Sequence, residues 1–305
     1  MDSLKNMDLM RLMQECDTQD ECRTILEELR WPDGVKCPRC QSDKISKIRK
    51  RFQYDCDSCR YQFSVTSGTI FHDSHLPLPK WFAATYLLCV SKKGMSALQL
   101  KNTLHTGYQT AWYLCHRIRE AMKETEPVAK LGGTVEIDET YIGGKARRWR
   151  PRSVKKVVIG IRQRNGDLRL IHAENAKSAT VREIIKANIG AQVEVIMTDE
   201  SQIYPWALNR LQKEKHRTIN HTRQYAHGDV HTNTVESAFS LLKRGIVGTW
   251  HKVSAKHLPA YLDEMCFRFN NRKNPYLFRD TLTKMVQTPN LELKELTAQQ
   301  AEPAA

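Results

Sequence analysis

The chain has 305 residues, 40% of them hydrophobic, which suffices for one large domain or two to three small ones with buried cores. Its 48 lysine and arginine residues outnumber 34 acidic ones, and the formal charge of +14 predicts a polyanionic partner such as nucleic acid. No apolar run reaches the roughly 18 residues of a membrane helix. The N-terminus also lacks the basic and apolar regions of a signal peptide, so we expect a cytoplasmic protein without a membrane partner.

Cysteine spacing predicts a metal site near the N-terminus, after a helical segment over residues 1–30. The nine cysteines are an odd number, which argues against a disulfide framework. Four of them form two pairs with 15 residues between the pairs: Cys37 with Cys40, and Cys56 with Cys59. Each pair can place two thiolates on one ion, so we expect structural Zn²⁺ in a zinc ribbon over residues 31–75. Residues 61–71 alternate as the last strands of such a ribbon would.

Residues 76–126 are predicted to be helical. An apolar helix over 80–90 precedes two helices that are joined by a short break at 105–107. This pair is typical of a helix-turn-helix, whose second helix would here bring Arg117 and Arg119 to DNA. An ordinary helical hairpin fits the same pattern, so the two interpretations stay open.

The stretch from Gly133 to Gly144 is a predicted strand with unusual charge. It is rich in β-branched and aromatic residues, yet it carries Glu136, Asp138 and Glu139. An unpaired buried carboxylate is costly, so the pattern favours a bound cation, with a solvated acidic edge strand as the alternative. A very basic segment follows, in which three arginines are expected to contact the DNA backbone: Arg147, Arg148 and Arg150.

A second predicted strand, residues 193–198, ends at Asp199. Acidic side chains at the end of a buried strand are where α/β folds place active groups. The chain between the two acidic strands has room for a hairpin and a helix, so Asp138 and Asp199 are expected on adjacent strands of one sheet. The alternative is that Asp199 caps a helix that begins near Tyr204.

A predicted helix over residues 231–244 supplies a third group. Asn233, Glu236 and Lys243 share one face of this helix by their spacing. Three convergent carboxylates suit divalent ions of the magnesium type, Mg²⁺ or Mn²⁺, which assist phosphoryl transfer. The predicted chemistry is therefore metal-assisted phosphoryl transfer on DNA. The alternative is that Glu236 and Lys243 are solvated.

Four motifs together resemble the zinc-ribbon insertion-sequence transposases of the ISXO type. They lie at residues 30–40, 135–144, 198–201 and 231–251, and the resemblance extends to about Arg272. It implies an α/β fold, with a ribonuclease-H-like mixed-sheet domain of the DDE superfamily over residues 127–275. A C-terminal helix and a disordered tail from about Glu295 would follow over residues 276–305.

The resemblance also implies the roles of the acidic residues. Asp138 and Asp199 would be the two strand aspartates, while Glu236 and Asn233 compete for the third position. We favour Glu236, because a carboxylate neutralises a divalent ion and an amide does not. Lys243 and Arg244 would contact DNA near the cut. Glu136 lies ~7 Å along the strand from Asp138 and is expected to support the site at most.

The implied function is that of a DNA transposase. Such an enzyme binds the terminal repeats of its element, hydrolyses the end phosphodiester and joins the freed 3′-hydroxyl to target DNA. A homodimer or larger assembly on DNA is expected. Two other functions stay open: a structure-specific nuclease on the same fold, and a zinc-ribbon DNA-binding regulator with a vestigial catalytic domain.

Overall fold

The structure is a computed structural model that describes residues 4–125, 129–143, 155–219 and 231–298. The chain divides into two compact units. One comprises Met1–Lys123 with Lys273–Ala305, and the other comprises Glu124–Arg272. Within the described ranges, no helix has both the length and the apolar character that a membrane span requires.

The first unit begins with two helices, α1 (Leu9–Glu15) and α2 (Gln19–Arg30). Helix α2 begins with a capping box. The Thr18 hydroxyl accepts from the Glu21 amide at 3.2 Å, and the Glu21 carboxylate accepts from the Thr18 amide at 2.9 Å. These two bonds satisfy amides that the first helical turn leaves without partners.

The ribbon is a three-stranded antiparallel sheet of β1 (Ile45–Ile48), β2 (Gln53–Cys56) and β3 (Gln62–Phe63). Trp31 packs edge-on against Tyr54 and Phe63, which gives the ribbon a small aromatic core. The predicted strand over 61–71 is wrong beyond Phe63. There the Ser67 hydroxyl accepts from the Ser64 amide and bonds to the Ser64 hydroxyl, and such local bonds compete with a strand ladder.

Three helices follow in the first unit: α3 (Leu78–Val90), α4 (Ala97–Leu104) and α5 (Tyr108–Met122). The predicted break between the last two is confirmed. It falls at His105, which ends α4 in the left-handed region with φ of 48° and satisfies the Lys101 carbonyl through its own amide. The helix pair therefore forms as expected, whichever of the two interpretations describes its role.

The second unit contains a five-stranded mixed sheet, which confirms the predicted ribonuclease-H-like α/β fold. Its strands are β4 (Leu131–Ile142), β5 (Lys156–Gln163), β6 (Leu168–Ala173), β7 (Ile189–Asp199) and β8 (His216–Ile219). The spatial order is β6-β5-β4-β7-β8, and β5 runs antiparallel to both of its neighbours, β4 and β6. Strand β7 runs parallel to both β4 and β8, so the acidic strands β4 and β7 are neighbours.

Helices cover the two faces of this sheet. One face packs against α6 (Ser178–Asn188) and α7 (Ile203–Ala207), and α8 (Arg210–Glu214) leads into β8. The other face packs against α9 (Asn233–Gly245) and α10 (Leu258–Asn270), which are joined through a π-helical turn over Ile246–Trp250. Buried side chains of α9 and α10 belong to one hydrophobic core on this face of the sheet.

A glycine sets the distance between α9 and the sheet. Gly160 of β5 pairs with Asp138 of β4. A Cβ at Gly160 would lie 2.6 Å from Phe239 Cζ and 2.8 Å from Val235 Cγ2, both on α9. Such distances are well inside van der Waals contact, so only glycine permits this helix to approach the strand beside Asp138 so closely.

The chain ends in the first unit with α11 (Leu277–Gln287) and α12 (Leu293–Thr297). Helix α11 packs against α2, α3 and α5, and its side chains Phe278, Leu282 and Met285 are buried. The disordered tail was predicted from about Glu295, but Glu295 lies within α12. Residues 299–305 lie outside the described ranges.

Candidate functional site

Two aspartates lie side by side where β4 and β7 stop pairing. In the parallel ladder Glu136 is paired with Met197, so Asp138 and Asp199 both follow two residues later. The Asp138 Oδ1 atom accepts from the Glu139 amide at 2.8 Å, and the Asp199 Oδ1 atom accepts from the Ser201 amide at 3.1 Å. Each carboxylate is thus oriented by a nearby backbone amide, which reduces the side-chain entropy that it loses on binding a ligand.

A third carboxylate, Glu139, joins these aspartates. Oxygen atoms of Asp138, Glu139 and Asp199 all lie within 4.8 Å of one another, and the three residues are half-buried. The Tyr204 hydroxyl donates a hydrogen bond to Glu139 Oε2. The sequence analysis gives Glu139 no role, and strand alternation alone would place it on the face opposite Asp138. The signal it contained was the pair of consecutive carboxylates inside a β-branched run.

The electrostatics of this cluster disfavour negative charge. Burial raises the pKa of Asp138 to about 7, and the adjacent Asp199 carboxylate contributes to the rise. Burial also raises the pKa of Glu139, against the opposing hydrogen bond from Tyr204. A site that resists the ionisation of its own carboxylates gains stability from a cation that neutralises them.

Glu236 approaches the same site from α9. A cavity of about 570 Å³ lies between β4 and α9, and it is lined by Asp138, Glu139, Thr140, Glu236, Phe239, Ser240, Lys243, Arg244 and Val247. After burial and Asp199, Glu236 is a further cause of the raised pKa of Asp138. Lys243 and Arg244 are exposed at the cavity. Asn233 is exposed and is absent from the described residues that line it.

The donor set fits a hard divalent cation. Mg²⁺ and Mn²⁺ prefer oxygen ligands, and carboxylates are the usual protein ligands of Mg²⁺. The cluster offers three carboxylates whose oxygens already lie within the reach of one ion, and the cavity adds a fourth. The raised pKa of Asp138 shows that negative charge here lacks compensation by the protein itself.

The pKa of Asp138 predicts an unusual stability profile for the metal-free protein. The unfolded chain loses this proton near pH ~3.9, whereas the folded state keeps it up to about pH 7. The folded state therefore binds more protons in this window, and stability falls as the pH rises through it. We expect Asp138→Asn to raise the melting temperature of the metal-free protein at pH 8 by about 5 °C, from a gain on the order of 2 kcal/mol. The gain should vanish at pH 4.

The matched control is Glu183→Gln, which removes the same charge from an exposed position of α6 in the same unit. It should leave the melting temperature unchanged at both pH values. Saturating Mg²⁺ should stabilise the wild type, because a ligand stabilises the folded state that binds it. It should leave the stability of Asp138→Asn little changed, because that variant lacks one of the proposed metal ligands. An Asp138→Asn protein less stable than the wild type at pH 8 without metal would contradict the predicted profile.

The four paired cysteines converge as predicted. Their sulfurs all lie within 4.8 Å of one another, with Cys37 Sγ at 3.6 Å from Cys59 Sγ and Cys40 Sγ at 3.5 Å from Cys56 Sγ. Tetrahedral zinc with Zn–S bonds of about 2.3 Å separates its sulfurs by about 3.8 Å. The Arg39 amide also points at Cys37 Sγ, at 3.4 Å, which suits a thiolate. The arrangement supports zinc in the ribbon.

Zinc removal is expected to unfold the ribbon. Structural zinc contributes on the order of 10 kcal/mol to small domains, and the ribbon has only a small aromatic core. We expect the purified protein to hold one zinc ion per chain and Cys37→Ser to lose both the zinc and the ribbon fold. Cys115→Ala, which alters a buried cysteine of α5, should keep its zinc. Metal analysis with limited proteolysis tests this, and a folded Cys37→Ser ribbon would refute it.

The two arginines predicted to read DNA from α5 lie in the interior. Arg117 is 3% exposed and Arg119 is 2% exposed. The Arg117 guanidinium donates to the His72 carbonyl and to Asn290 Oδ1, each at 2.6 Å. Side chains this deeply buried are not accessible to DNA, so the structure does not support the predicted DNA contacts of Arg117 and Arg119; Arg117 instead links α5 to His72 and Asn290. Arg147, Arg148 and Arg150 lie outside the described residues.

Comparison with known proteins adds two family matches and a relative. Residues 17–62 match the transposase zinc-ribbon domain, and residues 130–270 match the ISXO2-like transposase domain. The chain is also 27% identical over 259 residues to an uncharacterized protein in transposable element ISH50 of Halobacterium salinarum. That alignment covers 78% of this chain and 86% of the relative.

Proposed function

We propose that this chain, whose residues match a transposase zinc-ribbon domain and an ISXO2-like transposase domain, is an insertion-sequence transposase. It would bind the ends of its element and transfer them to target DNA. The observation that carries this proposal is the acidic site of the second unit. Asp138 and Asp199 lie together just past the point where the parallel pairing of β4 and β7 ends, and Glu236 lines the cavity beside Asp138. Such a donor set is suited to phosphodiester chemistry.

Asp138, Asp199 and Glu236 would hold Mg²⁺ or Mn²⁺, with Glu139 available as a further ligand. When bound, such ions activate the attacking oxygen and stabilise the leaving oxygen of a phosphodiester. The chain itself orients the carboxylates through the amides of Glu139 and Ser201. Lys243 and Arg244, exposed at the cavity, supply positive charge to hold the DNA backbone.

The proposed reaction has two displacements at phosphorus. In the first, a water oxygen bonds to the phosphorus at the element's end and the bond to the 3′-oxygen breaks. This leaves a 3′-hydroxyl on the element and a 5′-phosphate on the flank. In the second, that hydroxyl loses its proton and attacks a target phosphodiester, which releases a target 3′-hydroxyl. Each step exchanges one phosphorus–oxygen bond for another, so no external energy source is needed.

The partners follow from this chemistry. The zinc ribbon with the helical pair α4 and α5 would bind the terminal repeats, and the net charge of +14 favours contact with both element and target DNA. Joining two ends to one target calls for at least a homodimer on the DNA. The setting of the reaction would be the cytoplasm, where chromosomal DNA is accessible.

The deciding experiment uses the full chain and a DNA duplex that carries the ends of its native element. With Mg²⁺ or Mn²⁺ we expect both cleavage at the ends and covalent joining to target DNA, and neither product in EDTA. Cleavage without joining would favour the structure-specific nuclease. Specific binding without either product, together with no divalent metal binding, would favour the DNA-binding regulator.

A further inference from the structure

Glu136 is a buried carboxylate that the proposed chemistry does not use. It lies two residues before Asp138 on β4, and its side chain is fully buried. Its Oε1 atom accepts from Arg164 Nε at 2.8 Å and lies 3.3 Å from His231 Nδ1. A charge buried without partners is strongly destabilising, so these contacts explain how it is tolerated but not why it is there.

The other carboxylate oxygen of Glu136 accepts hydrogen bonds from the start of α9. Its Oε2 atom accepts from the Thr234 amide at 2.9 Å, the Thr234 hydroxyl at 2.6 Å and the Val235 amide at 3.1 Å. Both amides belong to the first turn of α9, where backbone N–H groups lack partners within the helix. Carboxylate acceptors at this end also interact favourably with the helix dipole.

This contact replaces an ordinary helix cap. Among the described residues, Thr232 stands at the capping position of α9 but makes no side-chain cap bond to its amides. The Thr232 hydroxyl donates instead to Glu236 Oε1, at 2.9 Å. The first turn of α9 is therefore held from outside, by a strand 98 residues earlier in the chain.

Arg164 extends the network beyond the strand. Its Nη2 atom lies 3.0 Å from His231 Nδ1, donates to the His231 carbonyl at 3.1 Å and contacts Met197 Sδ at 3.0 Å. Its amide donates to the Thr134 carbonyl at 2.9 Å. One arginine thus links β4, β7 and the residues that lead into α9, which orients the Glu136 carboxylate toward the helix.

We propose that Glu136 is a positioning residue that fixes Glu236 against the two strand aspartates. Glu236 follows Val235 directly, so the bonds to Thr234 and Val235 set the position from which its carboxylate reaches the cavity. The same short strand segment then carries an aspartate of the metal site and anchors the helix that brings the third carboxylate. The inference rests on the proposed function only for the role of Glu236 as a ligand.

The test is Glu136→Gln, which preserves the shape of the side chain and removes its charge. An amide can accept from the α9 amides or from Arg164 Nε, but its NH₂ group then faces a donor on the other side. We expect the Mn²⁺ concentration for half-maximal cleavage to rise about 10- to 100-fold, as when other groups that orient metal ligands are altered. Hydrogen exchange in a peptide spanning 233–239 should accelerate.

The matched control is Glu264→Gln. Glu264 is also fully buried in the second unit and pairs with Arg268 at 3.1 Å within α10. A purely structural role for Glu136 predicts that both variants lose stability while the metal requirement stays at the wild-type value. Equal Mn²⁺ requirements in the two variants, or an unchanged exchange rate in α9 of Glu136→Gln, would overturn the proposal.

A milder variant covers the case in which Glu136→Gln fails to fold. Thr234→Val removes only the hydroxyl that donates to Glu136 and keeps both amide bonds. It should raise the Mn²⁺ requirement by a smaller factor of about 3, because only one of the three bonds that α9 donates to Glu136 is lost; no rise would refute the proposal. If the wild type proves inert, Mn²⁺ binding followed by electron paramagnetic resonance and exchange in α9 still decide the positioning role separately.

Discussion

Asp138→Asn and Asp199→Asn are each expected to abolish cleavage and joining while DNA binding persists. Each change removes a charged metal ligand and keeps the size of the side chain, so the fold should survive. Metal ions contribute several kcal/mol to such transition states, so a loss of about 10³-fold or more in the cleavage rate is expected. The rate is measured in single turnover on labelled element ends, and DNA binding by mobility shift in Ca²⁺.

The control for these variants is Glu200→Gln, which changes the carboxylate next to Asp199 at an exposed position. It should cleave at a rate close to that of the wild type. Retention of more than about a tenth of the wild-type rate by either aspartate variant would contradict the proposed site, since a tenfold loss corresponds to only about 1.4 kcal/mol. Loss of DNA binding would point instead to misfolding, which circular dichroism would reveal.

Glu236→Gln is expected to lower the cleavage rate by about 10²- to 10³-fold, because it removes the charge of a proposed metal ligand. Glu139→Gln should cost less, about 10-fold, because its carboxylate is shared with Tyr204 and the remaining donors still neutralise the ion. Asn233→Ala should be close to the wild type, since Asn233 is exposed and absent from the described cavity lining.

The comparison of these three variants decides the identity of the third ligand. Single-turnover cleavage at saturating Mn²⁺ gives the rates, and Mn²⁺ titration gives the affinities. An inactive Asn233→Ala with an active Glu236→Gln would move the third position to Asn233. A Glu139→Gln variant that is as inactive as Asp138→Asn, beside an active Glu236→Gln, would place all three ligands on β4 and β7.

Local sequence patterns predicted most of the helices and strands. The cysteine spacing predicted the ribbon, because four thiolates on one ion require only short-range geometry. The Asn165-Gly166 pair between β5 and β6 is typical of a hairpin turn, and the structure places Asn165 in the left-handed region with φ of 58°. Strand β8, in contrast, spans only His216–Ile219, too few residues for a periodic signal.

The sequence predicted the role of a residue less well where that role depends on whether the side chain is buried. Arg117 and Arg119 have the charge and spacing of a DNA-reading helix, yet both lie inside the first unit. The sequence of the C-terminal helix α11 does not indicate that this helix packs against α2, α3 and α5. Helical periodicity identifies an apolar face but does not identify its partner.

The sequence by itself determined the chemistry available to this protein. It supplied a zinc-binding cysteine set, two strands with acidic residues, a helix that carries Glu236 and an excess of positive charge, because these features depend on residue type and short spacing. Only the tertiary structure decided how the carboxylates are arranged. The parallel pairing of β4 with β7 brings Asp138 beside Asp199, and the convergence of side chains at that edge adds Glu139. Glu136 is turned toward α9 by partners up to 99 residues away. Contacts over such separations arise from the packing of the whole domain, so local spacing does not encode them.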